Sequence, residues 1–250
     1  MIVDVAAFSG AWPTYPVNGR IERVVEGLTK TGVDRILISP LDAVWCRNPH
    51  LYNGPLLELC EQRTELIPVP IVDPSLSTWQ SELNLASEAS VQAIRILPNY
   101  HGYGLDELDP FWDAVSGMGL VVFVQTRMED PRRQHPMAVV EDVPSGQVAD
   151  LADRRRDVRF VIGGPRTGEI KDLSMALQER SNLYADVAQA DGLDAVRILV
   201  EEGLGEKLLF GSHSPLFMPE AAVARVVTDL DEEEAGLILG ENAGKLFSVN

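Results

Sequence analysis

Four histidines, His50, His101, His135 and His213, fall at the ends of apolar, strand-like runs or in the segments that follow them. Imidazole titrates near neutrality, which makes it the natural general acid or base. His213 stands at the end of "LLFGSHSP" (208–215) and is the first candidate. His101 in "PNYHGYG" (98–104) would assist it, with Gln125 at the end of "LVVFVQ" (120–125) as a hydrogen-bond donor. The segment "QTRMEDPRRQH" (125–135) sets three arginines and a histidine against two acids, in a chain of net charge −17. A guanidinium forks onto carboxylate or phosphate, so Arg127 and Arg132, with His135 beside them, are candidates to hold an anionic substrate. Alternatively, Glu129 and Asp130 neutralise these arginines and staple the loop to itself.

Three further residues belong to the same candidate set. Arg95 lies inside an apolar run, where an unpaired charge is costly. It either braces Asp4 or Asp186 or reaches a ligand. Asp186 ends "NLYAD" and would point to the same mouth as Gln125, Arg127 and His213. Trp12 in "SGAWP" (9–13) is either an aromatic wall over the site or packing under a loop. Cys46 has His50 four residues on, but no activating geometry identifies it as a nucleophile.

These residues need a scaffold. Eight apolar runs recur along the chain: 2–8, 34–39, 65–72, 91–97, 120–125, 158–163, 182–187 and 207–211. Segments of helical period separate them, among them 19–32 and 192–203, each ending on a glycine, and 73–90 after an Asp-Pro break. Eight β–α units in 250 residues are the count and length of a (β/α)8 TIM barrel in one domain spanning 1–250. A doubly wound sheet is the alternative, but no GxGxxG follows an early strand. The longer insertions, 40–54, 98–110 and 126–136, follow the second, fourth and fifth strands, on the face where barrels keep their chemistry.

Composition bounds the partners. Without a basic stripe, a charge of −17 argues against nucleic acid. The acidic run "DLDEEE" (229–234) reads as a solvated helix start. The longest apolar runs are strand-length, which argues against a membrane span. With no signal-like start, and with two cysteines that make no framework, the chain reads as cytoplasmic.

The ordered strand ends resemble the amidohydrolase superfamily, in its amidohydrolase-related branch of metal-dependent hydrolases and decarboxylases. "MIVDVAAFSG" is similar to that family's opening strand, which reads I-D-x-H-x-H. "PNYHGYGLDELDPFWDAVSGMGLVVFVQ", "DVRFVIGG", "NLYADV" and "KLLFGSHSP" with "GENAGKLF" resemble its later strands and closing helix. The resemblance implies a TIM barrel and a hydrolytic ancestry, but the ligand positions have changed. The two first-strand histidines fall on Ala6 and Phe8, the fifth-strand histidine on Gln125, the sixth-strand histidine on Gly164 and the eighth-strand aspartate on His213. A methyl, a phenyl ring and a glycine hydrogen cannot ligate a cation, and an amide is a poor substitute for imidazole.

Three functions follow as expectations. The first is a hydrolase-like protein with no metal cofactor, acting on a small organic anion with His213 as acid or base. The second is a zinc hydrolase or decarboxylase with a site re-formed from His101, His135 and His213 plus Glu129 or Asp130. The third is a catalytically inactive, ligand-binding pseudoenzyme. Homo-oligomerisation stays open.

Overall fold

The computed structural model describes residues 1–228 and 230–249. Its eight parallel strands are β1 (Ile2–Ser9), β2 (Val33–Pro40), β3 (Leu66–Pro68), β4 (Ala93–Ile96), β5 (Val121–Gln125), β6 (Arg159–Gly163), β7 (Leu183–Asp186) and β8 (Leu208–Leu209). Each lies within one of the eight apolar runs or exceeds it by a residue or two. Hydrogen bonding gives two arcs, β1-β2-β3 and β4-β5-β6-β7-β8. Backbone bonds join the arcs at both seams. Arg95 N donates to Pro70 O at 2.8 Å, and Val5 N donates to Phe210 O at 3.0 Å. The result is a closed (β/α)8 barrel.

The third run is cut short because Pro68 and Pro70 lack the N–H a ladder needs. The helix expected over 73–90 forms as Trp79–Glu88. Its first residues instead turn around Asp73, whose carboxylate accepts from the Ser75 amide at 2.9 Å and hydroxyl at 2.6 Å. The helices Ile21–Lys30 and Ala195–Glu201 stop before Gly32 and Gly203. Both glycines have positive φ, +88° and +80°, which suits the glycine endings of those segments.

Alternation sorts the strand residues into two cores. Ile36, Ile94, Val122, Phe160 and Leu183 face the helices. Val5, Leu37, Ala93, Phe123, Val161 and Leu209 fill the barrel interior together with Leu246 and Phe247. The closing helix Asn242–Phe247 thus packs against the interior core, with the Phe123 and Phe247 rings stacked 5.7 Å apart. Strict alternation does not run through β1, whose pairing with β2 shifts register between Asp4 and Ala7. Val5 therefore packs in the interior core, while Phe8 packs with Trp12, Met128 and Leu216.

The acidic run begins on Asp229, which lies outside the described residues. Its remainder starts a helix. Asp231 accepts from the Glu234 amide at 2.9 Å and caps Glu232–Gly236. Among the described residues no helix is long and apolar enough to cross a membrane.

Candidate functional site

The interior of the barrel carries a sealed polar layer. Arg95, from β4, is fully buried, as are Asp4 and Asp186. Arg95 Nε donates to Ser39 Oγ at 3.0 Å, Nη2 donates to Val5 O at 3.2 Å, and Nη1 donates to Gln125 Oε1. Its guanidinium carbon lies 4.7 Å from the ring centres of both Phe8 and Phe123. Burial lowers the Arg95 pKa to about 10, opposed by the charges of Asp186 and Asp4. Of the two readings for Arg95, the structure gives the brace. It does so through neutral acceptors and electrostatic reach, since no carboxylate among the described residues lies within 4.0 Å of it in an ion pair.

Each carboxylate of this layer holds backbone. Asp186 accepts from the Gly164 amide at 3.1 Å and the Ala188 amide at 3.1 Å. Burial pushes its pKa up to about 6, against those bonds and Arg95. Asp4 accepts from the Ser212 amide at 3.0 Å and from the Ser212 hydroxyl, and burial raises its pKa too. Expected to face the mouth of the barrel, Asp186 is instead fully buried. Gln125 is likewise committed. Its Oε1 accepts from Arg95, and its Nε2 donates one N–H to Arg127 O at 2.7 Å, so both ends of the amide are held by the protein.

His213 stands where the sequence places it, past the end of β8, but it is fully buried. Its backbone is left-handed, with φ +56°, an unusual conformation for a residue with a side chain. Nε2 lies 2.6 Å from Met128 O, which accepts only, so the hydrogen sits on Nε2. Nδ1 is buried without a partner. The ring is edge-on to Phe8 at 5.1 Å and to Phe217 at 5.4 Å. Burial pulls its pKa down to about 3, against the Met128 carbonyl, so at neutral pH it is an uncharged and weakly basic imidazole.

The other expected residues are dispersed. Arg127 is buried, and its donors are used. Nε bonds Asp142 at 2.8 Å, Nη1 bonds Gly164 O at 2.9 Å, and the fork grips Glu169 at 3.0 and 3.1 Å. Burial works against its charge, but the bonds to Glu169 and Asp142 outweigh burial and raise its pKa. The expected anion anchor is therefore a brace. Arg132 is exposed and forked onto Asp130, as in the stapled-loop alternative. His101 donates through Nε2 to Ala43 O at 3.1 Å, away from the partners of His213. His135 is exposed, and its Nδ1 accepts from the Met137 amide at 3.2 Å. The three imidazoles of the zinc reading thus sit in separate settings. Among the described residues no three or more of His, Cys, Asp and Glu are grouped to hold a metal.

Trp12 is packing with a polar handle. It lies against Tyr15, Trp45 and Tyr100 at 6.0–6.5 Å between ring centres. Its Nε1 donates to the buried Glu129 at 3.3 Å, and burial raises the Glu129 pKa. This aromatic layer joins Phe8, Leu41, Ile71 and Leu97 in a single cluster over the ends of the first strands.

The open space is on the other side of the mouth. A cleft of about 630 Å³ lies among the loops after β5, β6, β7 and β8. Its lining includes Arg132, Arg166, Gln189, Asp191, Phe217 and Arg225. Arg166 follows β6, is exposed, and forms no ion pair among the described residues. Arg225 projects from the helix Pro219–Val227 and donates through Nη1 to Val187 O at 3.0 Å. Burial lowers its pKa, partly offset by Asp191. Gln189 links the cleft to the sealed layer. Its Nε2 donates to Arg127 O at 3.2 Å and lies 3.4 Å from His213 Nε2. The sequence reading missed Arg166, Gln189 and Arg225. The first two follow "VIGGP" and "YADVA", where attention to loops after strands would find them. Arg225 lies in a helix and carries no local signal.

A family model described as Amidohydrolase matches residues 43–249. No curated protein matches. Among solved structures, 5-carboxyvanillate decarboxylase from Sphingomonas paucimobilis is similar, with a TM-score of 0.76 at 14% identity, covering 100% of this chain and 99% of that one. A 2,6-dihydroxybenzoate decarboxylase from Rhizobium gives 0.69 at 15% identity, covering 99% of each chain. A probable 2-pyrone-4,6-dicarboxylic acid hydrolase from Acinetobacter baumannii with citric acid bound gives 0.67 at 14% identity, again over 99% of each. At these identities the structural likeness speaks to the fold, and the family match over most of the length identifies the lineage: the chain belongs to the amidohydrolase family.

Proposed function

We propose that this protein binds a small organic anion, a carboxylate, in the cleft after β5 to β8, and that it does so without a divalent metal. The observation that carries the reading is the state of the cleft cations. Arg127 and Arg132 are already paired with acids, whereas Arg166 and Arg225 face the cleft against a single further acid, Asp191. Two guanidiniums with donors to spare suit a carboxylate. Similar structures bear the names of carboxylate-acting enzymes, and one holds citrate.

The metal-free part rests on the residues at the family's ligand positions. Ala6 and Gly164 carry no ligand atom. Phe8 presents a ring, and the Gln125 amide is spent on Arg95 and Arg127. His213 presents an N–H to Met128. A guanidinium also stands among them, and a second cation beside it would be repelled in a medium of low dielectric. These residues do not fit a divalent metal.

The same cleft supports a second reading, a metal-independent hydrolase or decarboxylase. The left-handed backbone of His213, its unpartnered Nδ1 and its approach to Gln189 favour that reading. Against it stand the depressed basicity and full burial of the ring. Isothermal titration with citrate, 2,6-dihydroxybenzoate and inorganic phosphate tests the binding. Micromolar to millimolar affinity that collapses in Arg166→Ala/Arg225→Ala supports the reading, and unchanged affinity overturns it. Product analysis of the bound carboxylates with wild type and His213→Asn separates turnover from simple binding.

A further inference from the structure

We propose that the guanidinium of Arg95 is the resident cation of this barrel, a built-in side chain standing in the electrostatic place of a metal ion. The inference rests on the metal-free reading above and extends it from what is missing to what is present.

The geometry carries it. Arg95 touches the residues at two of the ligand positions. Its guanidinium carbon is 4.7 Å from the Phe8 ring centre, and Nη1 bonds Gln125 Oε1. The other three positions close in around this pair. The Phe8 and His213 ring centres are 5.1 Å apart. A Cβ on Gly164 would lie 3.1 Å from Gln125 Nε2. A Cβ on Gly211 would meet the Ala6 methyl at 2.7 Å, so the β1–β8 seam has no room for a side chain at position 211 beside Ala6. The inherited cluster of positions thus persists as a packed shell around a positive charge.

A cation is needed there because two carboxylates remain. Asp4 and Asp186 are fully buried, and each is committed to backbone amides of neighbouring strand ends. Two buried negative charges with no counter-charge are strongly unfavourable. The positive charge sits between aromatic faces, Phe8 on one contact and Phe123 on another, which compensates part of its lost hydration. Ser39 Oγ and Val5 O take two of its remaining donors, so the charge is fixed in orientation as well as place.

The alternative is that Arg95 is merely large and fills space. A double-mutant cycle at constant pH 7 separates the two. Wild type, Arg95→Met, Asp186→Asn and Arg95→Met/Asp186→Asn are compared by thermal melting. Methionine keeps much of the stem volume and removes the charge. We expect Arg95→Met to lower Tm by roughly 10 °C or more. Adding Asp186→Asn should restore at least half of that loss, because one of the stranded carboxylates is then gone. A double variant no more stable than the sum of the singles would make Arg95 a packing residue and overturn the proposal.

If Arg95→Met yields no soluble protein, solubility becomes the readout. Recovery in the double variant, together with soluble Arg95→Lys, supports the charge role. Arg95→Met/Asp186→Asn that stays as insoluble as Arg95→Met, while Asp186→Asn alone is soluble, would overturn it. Metal analysis of wild type completes the test. Less than a tenth of an equivalent of any transition metal is expected, and a stoichiometric metal retained through purification overturns the proposal. None of these measurements uses the cleft, so a failure to bind anions and a failure of the Arg95 role are distinguishable.

Discussion

Gln189 Nε2 lies 3.4 Å from His213 Nε2, and that approach is where the open cleft meets the sealed layer beneath it. His213 Nε2 already directs its hydrogen to Met128 O, so the Gln189 amide is a neighbour in van der Waals contact and makes no second bond to that nitrogen. Gln189, Arg166 and Arg225 line the cleft, and the histidine lies one side chain below.

The arginines of the cleft should behave differently from one another. Arg166→Ala and Arg225→Ala should each weaken citrate binding roughly tenfold, the loss of one charge-assisted hydrogen bond. Arg132→Ala should change it little, because that guanidinium is forked onto Asp130 and exposed. Calorimetric titration of the three variants checks the order. A larger loss from Arg132→Ala than from the other two would place the anion elsewhere.

Arg127→Ala is expected to be a stability variant. A buried pair broken on one side typically costs roughly 3–5 kcal/mol. Here the Asp142 and Glu169 side chains keep 28% and 31% exposure, so water takes up part of the loss. We expect about 2–3 kcal/mol by denaturant unfolding. A fully stable Arg127→Ala protein with weakened anion binding would return Arg127 to the role of an anchor.

His213 makes folding acid-sensitive. Its folded pKa is about 3, below the ordinary value of 6.5, so between these the unfolded chain binds the extra proton. Stability contributed by the neutral ring is complete above pH 6.5 and falls as pH drops toward 3, by ~1.4 kcal/mol per pH unit within the window. Asp186 works in the opposite sense up to its pKa of about 6, because its raised value favours the folded state at lower pH. Comparing His213→Asn with wild type isolates the first effect. The variant should lose less stability between pH 6.5 and 4, and identical pH profiles would refute the assignment.

Restoring a family ligand residue should not restore a metal site. Gly164 has φ +75°, and a Cβ there would come within 2.7 Å of Arg127 O. Gly164→His should therefore cost roughly 2–4 kcal/mol through strain and overpacking. Added zinc should not raise its Tm, as zinc binding to the folded state would. A zinc-dependent rise in Tm would show that the position still serves a metal.

Chelation should leave the wild type unaltered. Dialysis against EDTA is expected to change neither Tm nor citrate affinity, since a ligand bound only by the folded state would leave its removal visible in Tm. A reproducible fall in Tm that manganese or zinc reverses would overturn the metal-free reading.

The periodic features were legible from the residues themselves. "LVVFVQ" and "VRFVIG" are runs too apolar for a one-sided strand, as parallel strands covered on both faces must be, and they form β5 and β6. That the side chains of Ala6, Phe8 and Gly164 carry no metal-ligating atom was equally legible, because side-chain identity is a fact of sequence. His213 was correctly placed past β8 for the same reason of register.

What the tertiary structure decided was which polar groups had already found partners. Arg127 looked available because Asp142 and Glu169 lie 15 and 42 residues away, and no local pattern announces a bond at that separation. Gln125 looked like a donor until Arg95 and the Arg127 carbonyl claimed both ends of its amide. Arg225 reads as an ordinary helix residue and becomes a cleft residue because its helix packs beside the loop after β7. Side-chain chemistry belongs to the sequence, but the free valence of each group depends on long-range contacts, and folding alone fixes those.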